Sequence, residues 1–213
     1  MKPRGGVALL LVLVIATSAS AKMSRDAALQ ALGQGDPEAR RQAVTALGAM
    51  GTFDDVPKLA AALRDSDPLV RRLTERALWE VWSRSGDRDI DRLFAVGVEQ
   101  MNDQQGAAAV QTFSEIIRRK PEFAEGWNKR ATVYYVLGEY AKSLADCDEV
   151  MKRNPYHFGA LSGYGMIYME LNEPARALTY FERALAVNPN LESVAEAVQM
   201  LRRLLIQQRR DAV

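Results

Sequence analysis

In 213 residues the chain holds one cysteine, Cys147, and one histidine, His157. A lone cysteine makes no internal disulfide, so the fold must rest on its apolar core. One Cys and one His are also too few for a zinc site, which takes four ligands in its structural form. Charge of one sign is lacking too. The 28 basic residues against 27 acidic ones leave a net charge of +1, without the basic field that nucleic-acid binding draws on. There is no glycine-rich phosphate loop, no nucleophile elbow and no pair of histidines at helical spacing. No cofactor or metal is therefore expected, and nothing announces an enzyme. Long apolar runs are missing as well. The stretch from Val7 to Ala16 has ten residues, too short to cross a bilayer core of about 30 Å as a helix.

That short stretch has another reading. Lys2 and Arg4 precede it, and Ala19 and Ala21 follow in small-x-small spacing. This is the pattern of a secretory signal, with cleavage expected after Ala21. No cysteine stands near the cut, so no lipid anchor is expected. Export would place the chain in the cell envelope, in the periplasm if the cell is Gram-negative.

The rest of the chain repeats. Pro121, Pro155 and Pro189 stand 34 residues apart. A fixed period in this range means stacked supersecondary units. In the last unit Leu161, Tyr164, Gly165, Tyr168, Ala177, Phe181, Ala184 and Pro189 recur at helical spacing. The same places hold Trp127, Arg130, Ala131, Tyr134, Ser143, Cys147, Val150 and Pro155 in the middle unit, and Leu93, Val96, Gly97, Gln100, Ala109, Phe113, Ile116 and Pro121 in the first. Small residues fall where two helices of a hairpin must approach, larger apolar ones beside them, and proline where the second helix has ended. The pattern resembles the tetratricopeptide repeat, with units at 90–123, 124–157 and 158–191. Upstream, Asp36-Pro37 and Asp67-Pro68 begin two segments with a period of 31, with Arg40-Arg41 lying on Arg71-Arg72. Asp caps a helix and Pro fits its first turn. These segments resemble HEAT-like repeats.

The two resemblances imply an all-α fold, a right-handed α-solenoid. Its expected parts are a signal peptide at 1–21, HEAT-like repeats at 22–89, the three tetratricopeptide units, and a capping helix with tail at 192–213. The stretch Ile90–Met101 is expected to serve both repeat types as a shared helix. Cys147 takes the buried place of Phe113 and Phe181, and His157 falls in a turn ten residues on. Neither is expected to do chemistry.

Tetratricopeptide arrays present a concave face lined by the first helix of each hairpin. Its outward places here include Asp91, Phe94, Val98 and Met101, then Glu125, Asn128, Thr132 and Tyr135, then Gly159, Ser162, Met166 and Met169. The expected partner-binding groove is Phe94, Val98, Met101, Asn128, Thr132, Tyr135, Ser162, Met166 and Met169. These side chains suit an apolar or amphipathic segment of a protein partner. The cationic clamp by which some family members grip a terminal carboxylate has no match beyond Asn128, Lys129 and Arg130. Alternatively the HEAT part or the cap curls over this face and makes it core. The arginines at 40, 41, 71 and 72 are expected to cap helix ends within the array. The implied function is a non-enzymatic adaptor or scaffold of the cell envelope. The alternatives are a permanently bound assembly or regulatory subunit of an envelope complex and, further off, an enzyme like the pigment-attaching lyases with HEAT-like repeats.

Overall fold

The computed structural model describes residues 23–211, so the expected signal segment lies outside the described residues. These residues form eleven α-helices and no strand. The first four are α1 (Arg25–Gln34), α2 (Pro37–Met50), α3 (Val56–Ala62) and α4 (Pro68–Trp82). Asp36 caps α2 by accepting the Ala39 N–H at 2.9 Å, and Asp67 caps α4 by accepting from Leu69 and Val70 at 2.8 and 3.0 Å. Proline opens both helices, where its missing donor costs nothing. The Arg40 guanidinium forks onto Asp65 at 2.7 and 2.8 Å, and Arg41 pairs with Asp67. The Arg41 hydrogen bond, with the Val70 N–H, pulls the Asp67 carboxyl down to about 2. The HEAT-like arginines thus tie successive turns and helix starts together.

Three hairpins follow: α5 (Arg88–Asn102) with α6 (Gly106–Arg119), α7 (Ala124–Val136) with α8 (Tyr140–Arg153), and α9 (Phe158–Glu170) with α10 (Pro174–Val187). A last helix, α11 (Glu192–Asp211), lies on α10 and buries Val198 and Leu201. The hairpin turns keep the 34-residue register. Gln104, Gly138 and Asn172 occupy the same place and all take positive φ, at 60°, 74° and 55°. Only the middle unit meets that left-handed demand with glycine. Inside the third hairpin a Cβ on Gly165 would fall on the Phe181 ring, so glycine there sets the helix spacing. Gly97 does the same against Phe113, with 2.7 Å to the nearest ring atoms.

The junction between the two repeat types corrects one expectation. Helix α5 packs on α6 and α7 and makes only slight contact with α4, so it is not a shared HEAT helix. The HEAT-like block instead folds back onto the later units. Arg64 donates to the Ala186 and Val187 carbonyls at the end of α10. Arg71 Nε donates to Asn190 at 2.9 Å, Asn190 Nδ2 to the Leu63 carbonyl at 2.8 Å, and Asn188 Nδ2 to Glu75 at 3.1 Å. Phe158, from the start of α9, joins the buried core of the HEAT-like block.

Candidate functional site

The inner face of the hairpins has a filled end and an open end. At the filled end two indoles of α4 sit on the corner before α9. Trp82 stacks on the His157 ring at 4.5 Å and 21°, and Trp79 meets His157 and Phe158 edge-on, each at 5.4 Å. A Cβ on Gly159 would lie 2.6 Å from the Trp79 ring, so only glycine admits this approach. Lys129 Nζ sits 5.8 Å from the centre of the Trp79 ring, over its face.

Beneath the tryptophans lies a polar group that sequence patterning placed elsewhere. Glu125, expected on the open face, is fully buried, as is His157. His157 Nδ1 accepts the Ala160 N–H at 3.0 Å and so carries no proton. The ring is therefore neutral, and Nε2–H donates to Glu125 Oε1 at 2.7 Å. Asn128 Nδ2 donates to the other carboxylate oxygen at 2.9 Å. Burial pushes the Glu125 carboxyl up, but the hydrogen bonds from His157 and Asn128 and the nearby charge of Lys129 outweigh it and hold the group below its ordinary value.

At the open end, α7, α8 and α9 leave a cavity of about 150 Å³. Asn128, Thr132, Tyr135, Ser162 and Met166 line it, over Ala131 and Cys147. The cavity follows from register. Where Phe113 and Phe181 fill the sister hairpins against glycine, the middle hairpin sets Cys147 against Ala131. The smaller side chain leaves space that neighbours in a packed array do not collapse. Cys147 itself is 3% exposed, and burial with the charges of Asp146 and Asp148 pushes its thiol up to about 12. It is a wall residue and no nucleophile.

Five of the nine expected groove residues therefore meet at one cavity. Asn128 is among them but is buried, its amide spent on Glu125. Phe94 is a correction: it is 8% exposed and packs edge-on to Phe123 and Phe113 at 5.4 and 6.0 Å, as core of the first hairpin. Val98 and Met101 are half-buried against that same core, and Met169 against the core of the third hairpin. Met166 is 44% exposed and Thr132 is open. On the rim, Tyr135 and Tyr140 stand 5.9 Å apart, and both hydroxyls lie 3.4 Å from the Glu170 carboxylate.

Comparison with known proteins agrees with this architecture. The family model described as HEAT repeats matches residues 3–79, and two tetratricopeptide-repeat models match 97–158 and 158–191. The chain is a tetratricopeptide-repeat protein with HEAT-like repeats. This repeat protein is similar to a TPR repeat-containing protein of Rhizobium etli, 36% identical over 120 residues, which are 56% of this chain and 59% of that protein. It is also similar to the Hsp70-Hsp90 organizing protein of Triticum aestivum, 23% identical over 103 residues, 48% of this chain and 18% of that protein. The match thus spans less than two thirds of either relative. Among solved structures, the first TPR of Spaghetti (RPAP3), bound to the HSP90 peptide SRMEEVD, superposes with a TM-score of 0.53 at 20% identity. That likeness covers 55% of this chain and 93% of the other. The Sgt2 TPR domain from Aspergillus fumigatus gives 0.55 at 17% identity, over 60% and 85% of the two chains. At such identities the likeness is one of fold.

Proposed function

We propose that the repeat protein is a non-enzymatic adaptor that holds an apolar segment of a protein partner at the open end of its inner face. The observation that carries this reading is the cavity left by Cys147 in a phenylalanine place, opening between Thr132, Tyr135, Ser162 and Met166. A preformed apolar recess with a few polar groups at its edge suits a single anchoring side chain. The structure of the first TPR of Spaghetti (RPAP3), which shares this fold and is bound to an HSP90 peptide, supports a peptide or protein ligand. An acidic peptide is a poor match here, because the nearby cations are engaged. Arg130 forks onto Asp146 at 2.8 Å and reaches Ser114, and Lys129 lies over Trp79. The buried thiol and the neutral, buried imidazole support the non-enzymatic part of the reading. The basic start, short apolar run and Ala-x-Ala of residues 1–21 support a place in the cell envelope.

The test is a pair of double variants. Tyr135→Asp with Met166→Asp puts charge at the mouth, and Ala131→Gly with Cys147→Phe rebuilds the sister hairpins' own pair and fills the recess. A photo-crosslinker at Thr132 of the full chain, in envelope preparations, should join one partner in the parent and in neither variant, while both keep their helical spectra. Equal crosslinking by parent and filled variant would refute the assignment.

A further inference from the structure

We infer that the partner segment carries a lysine or arginine beside its apolar anchor, and that Tyr135, Tyr140 and Glu170 receive the cation. The inference rests on the groove reading above and names the chemistry of its ligand. The two tyrosines and Glu170 stand at the rim of the Cys147 recess, and Tyr135 belongs to both. Among the described residues Glu170 has no cationic partner, whereas the next acid along the chain, Glu173, pairs with Arg176 at 2.9 Å. Its contacts are two phenol hydroxyls at 3.4 Å, a length at which they hold the carboxylate weakly and leave room for a stronger donor.

The backbone adds to the same field. Helix α7 ends at Val136, next to Tyr135, and α9 ends at Glu170. The C-terminal end of a helix carries partial negative charge. Helices α6 and α8 answer it with Arg118 and Arg119, and with Lys152 and Arg153, but α7 and α9, like α5 and α10, have no basic residue in the last turn. A carboxylate, two unanswered helix ends and two aromatic rings thus converge where a cation is missing. An ammonium or guanidinium is attracted to aromatic faces as well as to the carboxylate. Its aliphatic stem can run over Tyr135 toward the recess, so a neighbouring leucine or methionine reaches the cavity.

The experiment uses the full chain and a displayed library of random sixteen-residue peptides, with selected peptides then made singly and titrated. Selected sequences should share a Lys or Arg within two positions of a large aliphatic residue. Glu170→Lys, at an exposed site, should keep the melting temperature and weaken those peptides about tenfold or more, and the parent's affinity should fall with salt. Glu170→Lys should leave peptides whose Lys has been replaced by Ala unchanged. Sequences without a basic residue, or equal binding by Glu170→Lys, would overturn the cation claim. If the Ala131→Gly, Cys147→Phe variant also binds as the parent does, or the parent selects no peptide, the groove reading falls with it.

Discussion

Replacing Glu125 by alanine and by glutamine separates two accounts of the buried polar group. In alanine the carboxylate vanishes and strands two fully desolvated donors, His157 Nε2–H and Asn128 Nδ2–H, whose bonds are 2.7 and 2.9 Å long in the parent. Each buried donor left unmade costs about 1–3 kcal/mol, so the loss is about 2–6 kcal/mol. At about 2–4 °C per kcal/mol for a chain of this size, that lowers the melting temperature by roughly 4–24 °C. Glutamine keeps an oxygen where Nε2–H donates. The Asn128 amide can turn to offer its own oxygen to the new NH₂. Because the imidazole is neutral, no ion pair is lost, and the cost falls to about 1 kcal/mol. Circular dichroism melts at neutral pH measure both. The acid limb gives a second check. The folded carboxyl sits below its ordinary value, so its contribution is present at neutral pH and is lost as pH falls from the ordinary value, near 4.3, through the folded one. Glu125→Gln should lose this part of the acid dependence. Glutamine as damaging as alanine would refute the reasoning, because it would mean that an imidazolium–carboxylate pair holds the site.

Three further outcomes follow from the packing. Gly165→Leu drives a side chain into Phe181 and should melt the third hairpin with loss of helical signal, whereas Gly33→Leu, with nothing near its Cβ, should not. Trp82→Ala removes an indole that is 3% exposed and should cost about 3–5 kcal/mol, while Trp82→Phe should cost far less, because the Trp82 Nε1–H has no partner among the described residues. Denaturant titrations read both, and an equal loss would mean the indole nitrogen matters. Cys147, with its thiol pushed up to about 12, should resist a thiol reagent at pH 8 in the folded chain and react at once in urea.

Period and register made the hairpins legible. Prolines 34 residues apart and small residues at fixed offsets determine where two helices can touch, and those constraints are local. The fold-back of the HEAT-like block was not legible, because its contacts join Arg64 to Val187 and Arg71 to Asn190 across more than a hundred residues, with no periodic signal. Sequence placed Glu125 on the open face because its helical position is outward in a free array, and the tryptophans of α4 reverse that. One signal did exist. His157 stands in register with Phe123 and Leu191, an apolar place, and an imidazole in an apolar place needs a buried partner. The fold supplies that partner from Glu125, at the start of the preceding unit's first helix. The recess, too, was written in the alignment of Cys147 with Phe113 and Phe181, although its size depended on how little α7 and α9 close around it.

A stack of repeats touching only their neighbours can gain or lose a terminal unit with local consequences, and can begin to fold as soon as one unit has been made. The clasp between Leu63, Arg64, Arg71 and the corner at 186–190 removes both freedoms. It ties α4 and the turn before it to the corner between α10 and α11, with sequence separations of 119 to 127 residues. During synthesis at about 5–20 residues per second, the HEAT-like block waits roughly 6–25 s for its counterpart to appear. Trp79 and Trp82 stand uncovered on the nascent chain for the earlier part of that interval, until His157 and Phe158 have been made. A chain cut short before α10 would then be damaged at its beginning as well as at its end.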